Sequence, residues 1–235
     1  MKGRLASAWA LSLVLGLGLA CDKAKVVIVE PEPDTGGALE GGEPGPSEAE
    51  LATEEAVRTR ARSYAAALDG RDADAAEASV SSDTFVYYED LRRIALSSGR
   101  EQLERIDLMT VLLVLQIRSK LSRAELEGLE GRELFRRAVS EGFVGNDTSD
   151  IPLEQVWIDD AGERAQIRVD EEPVIWLRFE QDSWRVDIPE MIRVLGPALE
   201  ALALERVVAD GKVFTAYKLL SQSEDVDMAV MDGPL

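Results

Sequence analysis

Residues 163–188 read Glu-Arg-Ala-Gln-Ile-Arg-Val-Asp-Glu-Glu-Pro-Val-Ile-Trp-Leu-Arg-Phe-Glu-Gln-Asp-Ser-Trp-Arg-Val-Asp-Ile, and their alternation decides the fold class. Ala165, Ile167 and Val169 fall on one side of an extended chain and Arg164, Gln166 and Arg168 on the other, the period of a half-buried strand. Trp184, Val186 and Ile188 alternate in the same way with Arg185 and Asp187. Upstream, 153–159 faces 163–169 across Asp159-Asp160-Ala161-Gly162; downstream, 174–180 faces 184–188 across Gln181-Asp182-Ser183. Two consecutive hairpins with short connections predict an antiparallel meander of about four strands. The apolar face of that sheet needs cover.

Helical periodicity before and after the sheet supplies it. Ser47 and Glu50 have capping-box spacing, and Val57, Ala61, Tyr64, Ala65 and Leu68 then share one face until Asp69-Gly70 stops the pattern. Arg58, Arg60 and Arg62 point largely outward as solvated charge. Asp72 caps a short Ala-rich helix through Ala78. Asp83 caps another, on which Phe85, Tyr88, Arg92 and Ala95 share a face and Gly99 offers a left-handed exit. Residues 108–117 are nearly all apolar, but ten residues span only about 15 Å, half a bilayer, so they form a buried core helix. Ser122 with Glu125 repeats the capping box, and a helix over 132–141 closes at Gly142. Pro189 opens a helical stretch to Ala209, kinked or broken near Gly196-Pro197, and 212–220 adds one more turn or two. Residues 47–222 therefore form one α+β domain: N-terminal helices packed on a curved antiparallel sheet, with C-terminal helices.

Composition excludes whole chemistries. The 235 residues contain no His and one Cys, so there is no imidazole base, no Ser-His or Cys-His nucleophile pair, no internal disulfide and no thiolate zinc cluster. With 26 basic and 45 acidic residues the net charge is −19, and no basic stripe offsets it, which argues against nucleic acid as a partner. No Gly-rich phosphate loop follows a strand. Asn146-Asp147-Thr148 fits a glycosylation acceptor, and Asp147 with Asp150, like Asp159-Asp160, offers carboxylate oxygens, but these stretches read as turns without calcium-loop spacing. No metal site, no cofactor and no catalytic residue is assigned.

Residues 1–21 carry Lys2 and Arg4, an apolar run from Leu5 to Ala20, and Leu19-Ala20-Cys21 at the end, the tripartite form of an export signal. The run has 16 residues, short of the roughly 20 that a spanning helix needs. The only cysteine resembles the lipidation residue of a bacterial lipoprotein signal, although Gly18 stands where that family carries Leu, Val or Ile. The resemblance implies cleavage before Cys21, acylation of its sulfur, a lipid-anchored place in the bacterial cell envelope and a mature charge of −21. The other reading is an ordinary cleaved signal, or an uncleaved one, with Cys21 as an incidental thiol. Residues 22–46, rich in Pro, Gly and acidic side chains, read as a disordered tether reaching on the order of 25–30 Å, with Val26, Val27, Ile28 and Val29 as a sticky patch or short strand. Residues 223–235 read as a disordered acidic tail.

The order of elements also resembles a family. A long first helix with an inward Tyr64, the Gly70-Arg71-Asp72 turn, a short Ala-rich helix and a sheet carrying Trp184-Arg185-Val186-Asp187 look like the nuclear transport factor 2-like, cone-shaped α+β fold. Residues 89–142 carry more helix than its usual member. The resemblance implies a conical cavity between sheet and helices, with Tyr64, Trp176 and Arg178 as candidate lining, and a homodimer through the open sheet face. Two functions follow: a non-catalytic domain that binds a small apolar ligand or an envelope protein, and a cavity enzyme using carboxylate and Tyr chemistry. Tyr87, Tyr88, Glu89, Asp90 and an Arg178–Asp187 pair are further polar groups for the second.

Overall fold

The computed structural model describes residues 48–144, 153, 155–169, 171–203, 210–222 and 225–233. The export signal with Cys21, the tether with residues 26–29, Ser47, Asn146-Asp147-Thr148, Asp150 and residues 204–209 lie outside the described residues.

The fold is α+β, with helices before and after a four-stranded antiparallel open sheet in the order β1 (Gln155–Ile158), β2 (Arg164–Val169), β3 (Glu172–Glu180) and β4 (Ser183–Val186). β1 is shorter than the expected 153–159. β3 starts two residues earlier than expected and includes Pro173, which a register shift beside its partner Arg168 accommodates. Register aligns Ile167 with Ile175, Ala165 with Leu177, Leu177 with Val186 and Phe179 with Trp184, so these side chains share one face. Helix α1 (Glu48–Asp69) lies over that face against β1 and β4. Beyond β4 the edge is closed by residues 79–81: Ser81 donates its N–H to the Val186 carbonyl at 2.9 Å, and Val186 donates to that of Ser79 at 2.8 Å.

α1 buries the predicted Val57, Ala61, Tyr64, Ala65 and Leu68. α2 (Ala73–Glu77) is capped by Asp72, whose carboxylate accepts the Ala75 N–H at 3.0 Å. α3 (Ser82–Ser97) departs from expectation at both ends. Ser81 holds the N-cap position, which puts Asp83 inside the first turn, and the buried stripe is Thr84, Tyr88, Leu91 and Ala95 with Phe85 and Arg92 half-buried. Gly99 has φ −80°, so it provides no left-handed exit; it is the N-cap of α4 (Arg100–Leu103) and donates its N–H to the Gln102 side chain at 2.8 Å.

α5 (Leu108–Lys120) is the axis of the helical half, with every residue from Leu108 to Arg118 buried. The reciprocal Ser122–Glu125 capping box opens α6 (Arg123–Glu127), and α7 (Gly131–Ser140) ends at Gly142 with φ 72°. α8 (Ile188–Leu202) is capped by Asp187 and runs through Gly196-Pro197 without a break, held by Met191, Ile192, Leu195 and Leu199 in the core. Packing there outweighs the hydrogen bond that a helical proline forfeits. α9 (Lys212–Leu220) follows; its first amides point at Glu104, which accepts the Lys212 N–H at 2.6 Å. α3, α8 and α9 pack around α5. Residues 225–233 depart from the expected disordered tail: Met228–Met231 is a 3-10 helix, and Val226 and Met231 are buried. Two apolar anchors outweigh the local acidity. Among the described residues no helix is long and apolar enough to cross a membrane.

Candidate functional site

Tyr64 is 2% exposed in the core beneath α1, and burial pushes its phenol well above the ordinary range. The Tyr88 phenol is likewise pushed well above the ordinary range, first by burial and then by the neighbouring Tyr64 and Tyr87, and its ring meets Phe135 edge-on at 5.2 Å. Tyr87, also raised by burial, shares a 3.3 Å hydrogen bond with the Thr110 hydroxyl. Trp176 is 5% exposed. By strand alternation Trp176 and Arg178 project from the sheet face opposite Phe179 and Trp184, and therefore opposite α1. The structure thus does not gather Tyr64, Trp176 and Arg178 around one cavity, and the surface cavities described below are not lined by them.

Arg178 does meet Asp187, and a second carboxylate joins them. Its Nε donates to Asp187 Oδ2 at 2.8 Å while Nη1 reaches Asp83 Oδ2. Each carboxylate stands at a helix N-terminus, Asp83 in the first turn of α3 and Asp187 as the cap of α8, where its Oδ1 accepts the Glu190 N–H at 3.3 Å. The guanidinium therefore ties two helix starts to β3. Burial raises the Asp187 carboxyl above its ordinary value, partly opposed by Arg178. With both carboxylates gripping the guanidinium and Asp187 also capping a helix, the triad is a structural clasp.

The face that α1 covers carries two grooves. Where α1 crosses the β3–β4 hairpin, a groove of about 760 Å³ is bounded by Thr59, Arg60 and Ser63 on the helix and by Phe179, Asp182 and Trp184 on the hairpin. That volume is within the range, about 300–1,000 Å³, of small-molecule sites. Phe179, 46% exposed, sits edge-on to buried Trp184 with ring centroids 5.4 Å apart, giving the groove an aromatic floor. A second groove of about 640 Å³ lies between the start of α1 and the β1–β2 hairpin, over Val156 and Ile158, and Thr53 borders both.

Among the described residues the first groove carries one cation, Arg60, with Glu55 on the same helix; Arg185 is turned by strand alternation to the opposite sheet face, beside Glu77 and Glu180. Arg60 Nη1 donates to the Ala78 carbonyl at 3.1 Å, and Arg185 Nη1 donates to the same oxygen. Arg60 loses proton affinity, first through burial and then through the charge of Arg185. The other rim carries Asp182. Gln181 and Asp182 form the two-residue hairpin tip with φ 51° and 59°, the left-handed pair of a type I′ turn made without Asn or Gly. Strain of this kind gathers where a residue is held for a purpose.

Sequence reasoning placed Arg60 on a solvated face and Trp184 in the sheet without uniting them. The available signal was the hairpin register: a two-residue turn at Gln181-Asp182 pairs Phe179 with Trp184 on the face that α1 covers. Among the described residues no group of His, Cys, Asp and Glu has the convergence to hold a metal ion. Comparison with known protein families, characterised proteins and solved structures finds no match to this chain.

Proposed function

We propose that the protein is a bacterial envelope lipoprotein, carried on the membrane by acyl chains at Cys21 and held off it by residues 22–46, whose nuclear transport factor 2-like body binds a small apolar ligand and does no chemistry on it. The observation that carries the binding reading is where the space lies. The interior between sheet and helices is filled by Tyr64, Leu68, Ile167, Ile175 and Val186, whereas the aromatic groove beside α1 is open. An exposed Phe over a buried Trp is apolar area that a ligand can remove from water, at about 25 cal/mol per Å². The acidic chain is repelled by anionic headgroups, which holds the body away from the bilayer.

Two measurements test the two halves. Labelled palmitate and mass spectrometry of the mature amino terminus are expected to show diacylglyceryl and acyl groups on Cys21; an intact leader with a free thiol overturns the anchor. Titration of decanol into the full-length chain is expected to raise its melting temperature, an effect lost in Phe179→Ser; a shift that ignores Phe179 overturns the groove.

A further inference from the structure

We propose that Val26-Val27-Ile28-Val29 adds to the sheet as a fifth strand, antiparallel to the open edge of β1. This pairing goes beyond the function proposed above and does not depend on the ligand groove. β1 ends the sheet order, and among the described residues no strand pairs with its outer side. Its inner side is fixed by β2: Asp159 donates its N–H to the Arg164 carbonyl at 3.0 Å, and the alternation carries that bonding to Trp157 opposite Gln166 and Gln155 opposite Arg168. Val156 and Ile158 therefore direct their N–H and C=O groups outward. An edge of this kind is ordinarily covered, charged or bent, but Gln155-Val156-Trp157-Ile158 carries neither charge nor proline. Both of its faces are unfinished as well. On the α1 side half-buried Val156 and Ile158 floor the second groove; on the other side Trp157 is exposed, with the Arg168 guanidinium 5.7 Å from its ring centroid.

The occupant follows from where the chain joins the body. α1 begins at Glu48, and Ala49 lines the second groove together with Val156 and Ile158, so the preceding residues are attached beside this edge. Residues 26–29 are the one run of β-branched apolar residues between 22 and 46, and their number matches the four of β1. As a coil, residues 30–47 reach on the order of 20–25 Å, more than the roughly 14 Å of a four-residue strand, so the run meets the edge at high effective concentration. Charge selects the direction. With Val26 opposite Ile158 and Ile28 opposite Val156, Lys25 stands opposite Asp159, whereas a parallel strand sets Glu30 there. Val26 and Ile28 then extend over the second groove, and Val27 lies beside Trp157 as a β-branched partner for the ring. A second copy of β1 in the same place, with Val156 opposite Ile158, sets Glu154 against Asp160 and brings together two chains of charge −19. Pro31 ends the added strand, and residues 22–25 alone then separate Cys21 from the body, a reach of at most about 17 Å.

The test is hydrogen exchange of the full-length chain, resolved to single amides by mass spectrometry, beside its Ile28→Asp variant. The substitution lies outside the body, whose helices report in the same experiment that the fold persists. The Val156 and Ile158 amides are expected to exchange about tenfold more slowly in the parent than in Ile28→Asp, with β2, β3 and β4 unchanged. Equal exchange in the two chains overturns the proposal, and equal protection with a doubled mass in light scattering assigns the edge to a second copy instead. Register is read from cysteine pairs in Cys21→Ser chains. Val29→Cys with Gln155→Cys forms a non-hydrogen-bonded pair close enough for a disulfide, and is expected to close within one chain about tenfold faster than Val27→Cys with Gln155→Cys. Equal closure of the two pairs overturns the register and the strand with it. Decanol binding through Phe179 is read separately, so the groove and the added strand stand or fall independently.

Discussion

At Gly131 the first turn of α7 comes so close to α3 that a methyl group has no room. An added Cβ would lie 2.3 Å from the Phe85 carbonyl oxygen and 2.6 Å from the Glu89 nitrogen, both backbone atoms that move only if the helices separate. Gly131→Ala is therefore expected to destabilise the protein by about 1–3 kcal/mol despite its better helix propensity, as read from the urea midpoint. Arg178 concentrates a different kind of dependence. Arg178→Met removes the partner of a buried carboxylate at Asp187 and is expected to cost about 1–2 kcal/mol at pH 7, below the value for a fully buried pair because Arg178 is one-third exposed. Asp187 already has a raised carboxyl, so its stabilisation by protonation is present below the unfolded value and is lost as pH rises through the folded one. Removing the guanidinium raises it further. The stability gap between variant and parent should thus narrow as pH falls from 7 toward 4; a gap independent of pH would assign Arg178 a packing role alone.

The β3–β4 hairpin shows at the level of one element what periodicity reveals and what it misses. Alternation at Trp184 and Val186 placed the strand and its buried side, because burial acts on every second residue, whereas Ile188, expected to continue the strand, opens α8 behind the cap Asp187. The expected loop of Gln181-Asp182-Ser183 had one residue too many, because its chemistry lacks the Asn-Gly signal of a type I′ turn while its geometry is of that type. Helix faces were equally legible where apolar residues recur, as along α1, whereas helix starts were not: Ser81 and Asp83 are both good caps, and only the pairing of residue 81 with Val186 selects the first. The groove was hidden for the same reason, since Arg60 and Phe179 come to line it only through tertiary structure, across 119 positions of sequence. The hairpin tip yields its own prediction. Gln181→Asn with Asp182→Gly relieves two left-handed backbones and is expected to stabilise the fold by about 1 kcal/mol, visible as a higher melting temperature. If Asp182 is held there for the groove, the same variant alters the response to decanol; a turn of purely structural purpose would raise stability and leave binding unchanged.

For the whole molecule, the carboxyl-terminal segment closes the helical half where composition pointed to a free tail. Its charges, Asp225, Asp227 and Asp232, face water, and its anchors are Val226 and Met231, too few to register in a count dominated by acids. The receiving surface is α5 with α9, and one buried side chain joins the parts. Arg118, 4% exposed, donates to the Ala95 carbonyl at 3.0 Å and to those of Ile94 and Ser98 at the end of α3, and Nη1 reaches the Val230 carbonyl at 3.3 Å. Burial without a carboxylate pulls this guanidinium down to about 10, so it remains charged at neutral pH and carries the cost of its own desolvation. Each carbonyl it holds offsets part of that cost, and the last is supplied by the tail. Deleting residues 223–235 is expected to lower stability by about 2–4 kcal/mol, from two buried side chains and one lost acceptor. Met231→Ala should reproduce about half of that loss, while Asp227→Ser, which keeps a cap for the 3-10 helix, should change little. Urea unfolding of the three variants discriminates the cases. A segment solvated as its composition suggests would leave all three midpoints where they are in the parent, and the strap would then add nothing to the body it lies against.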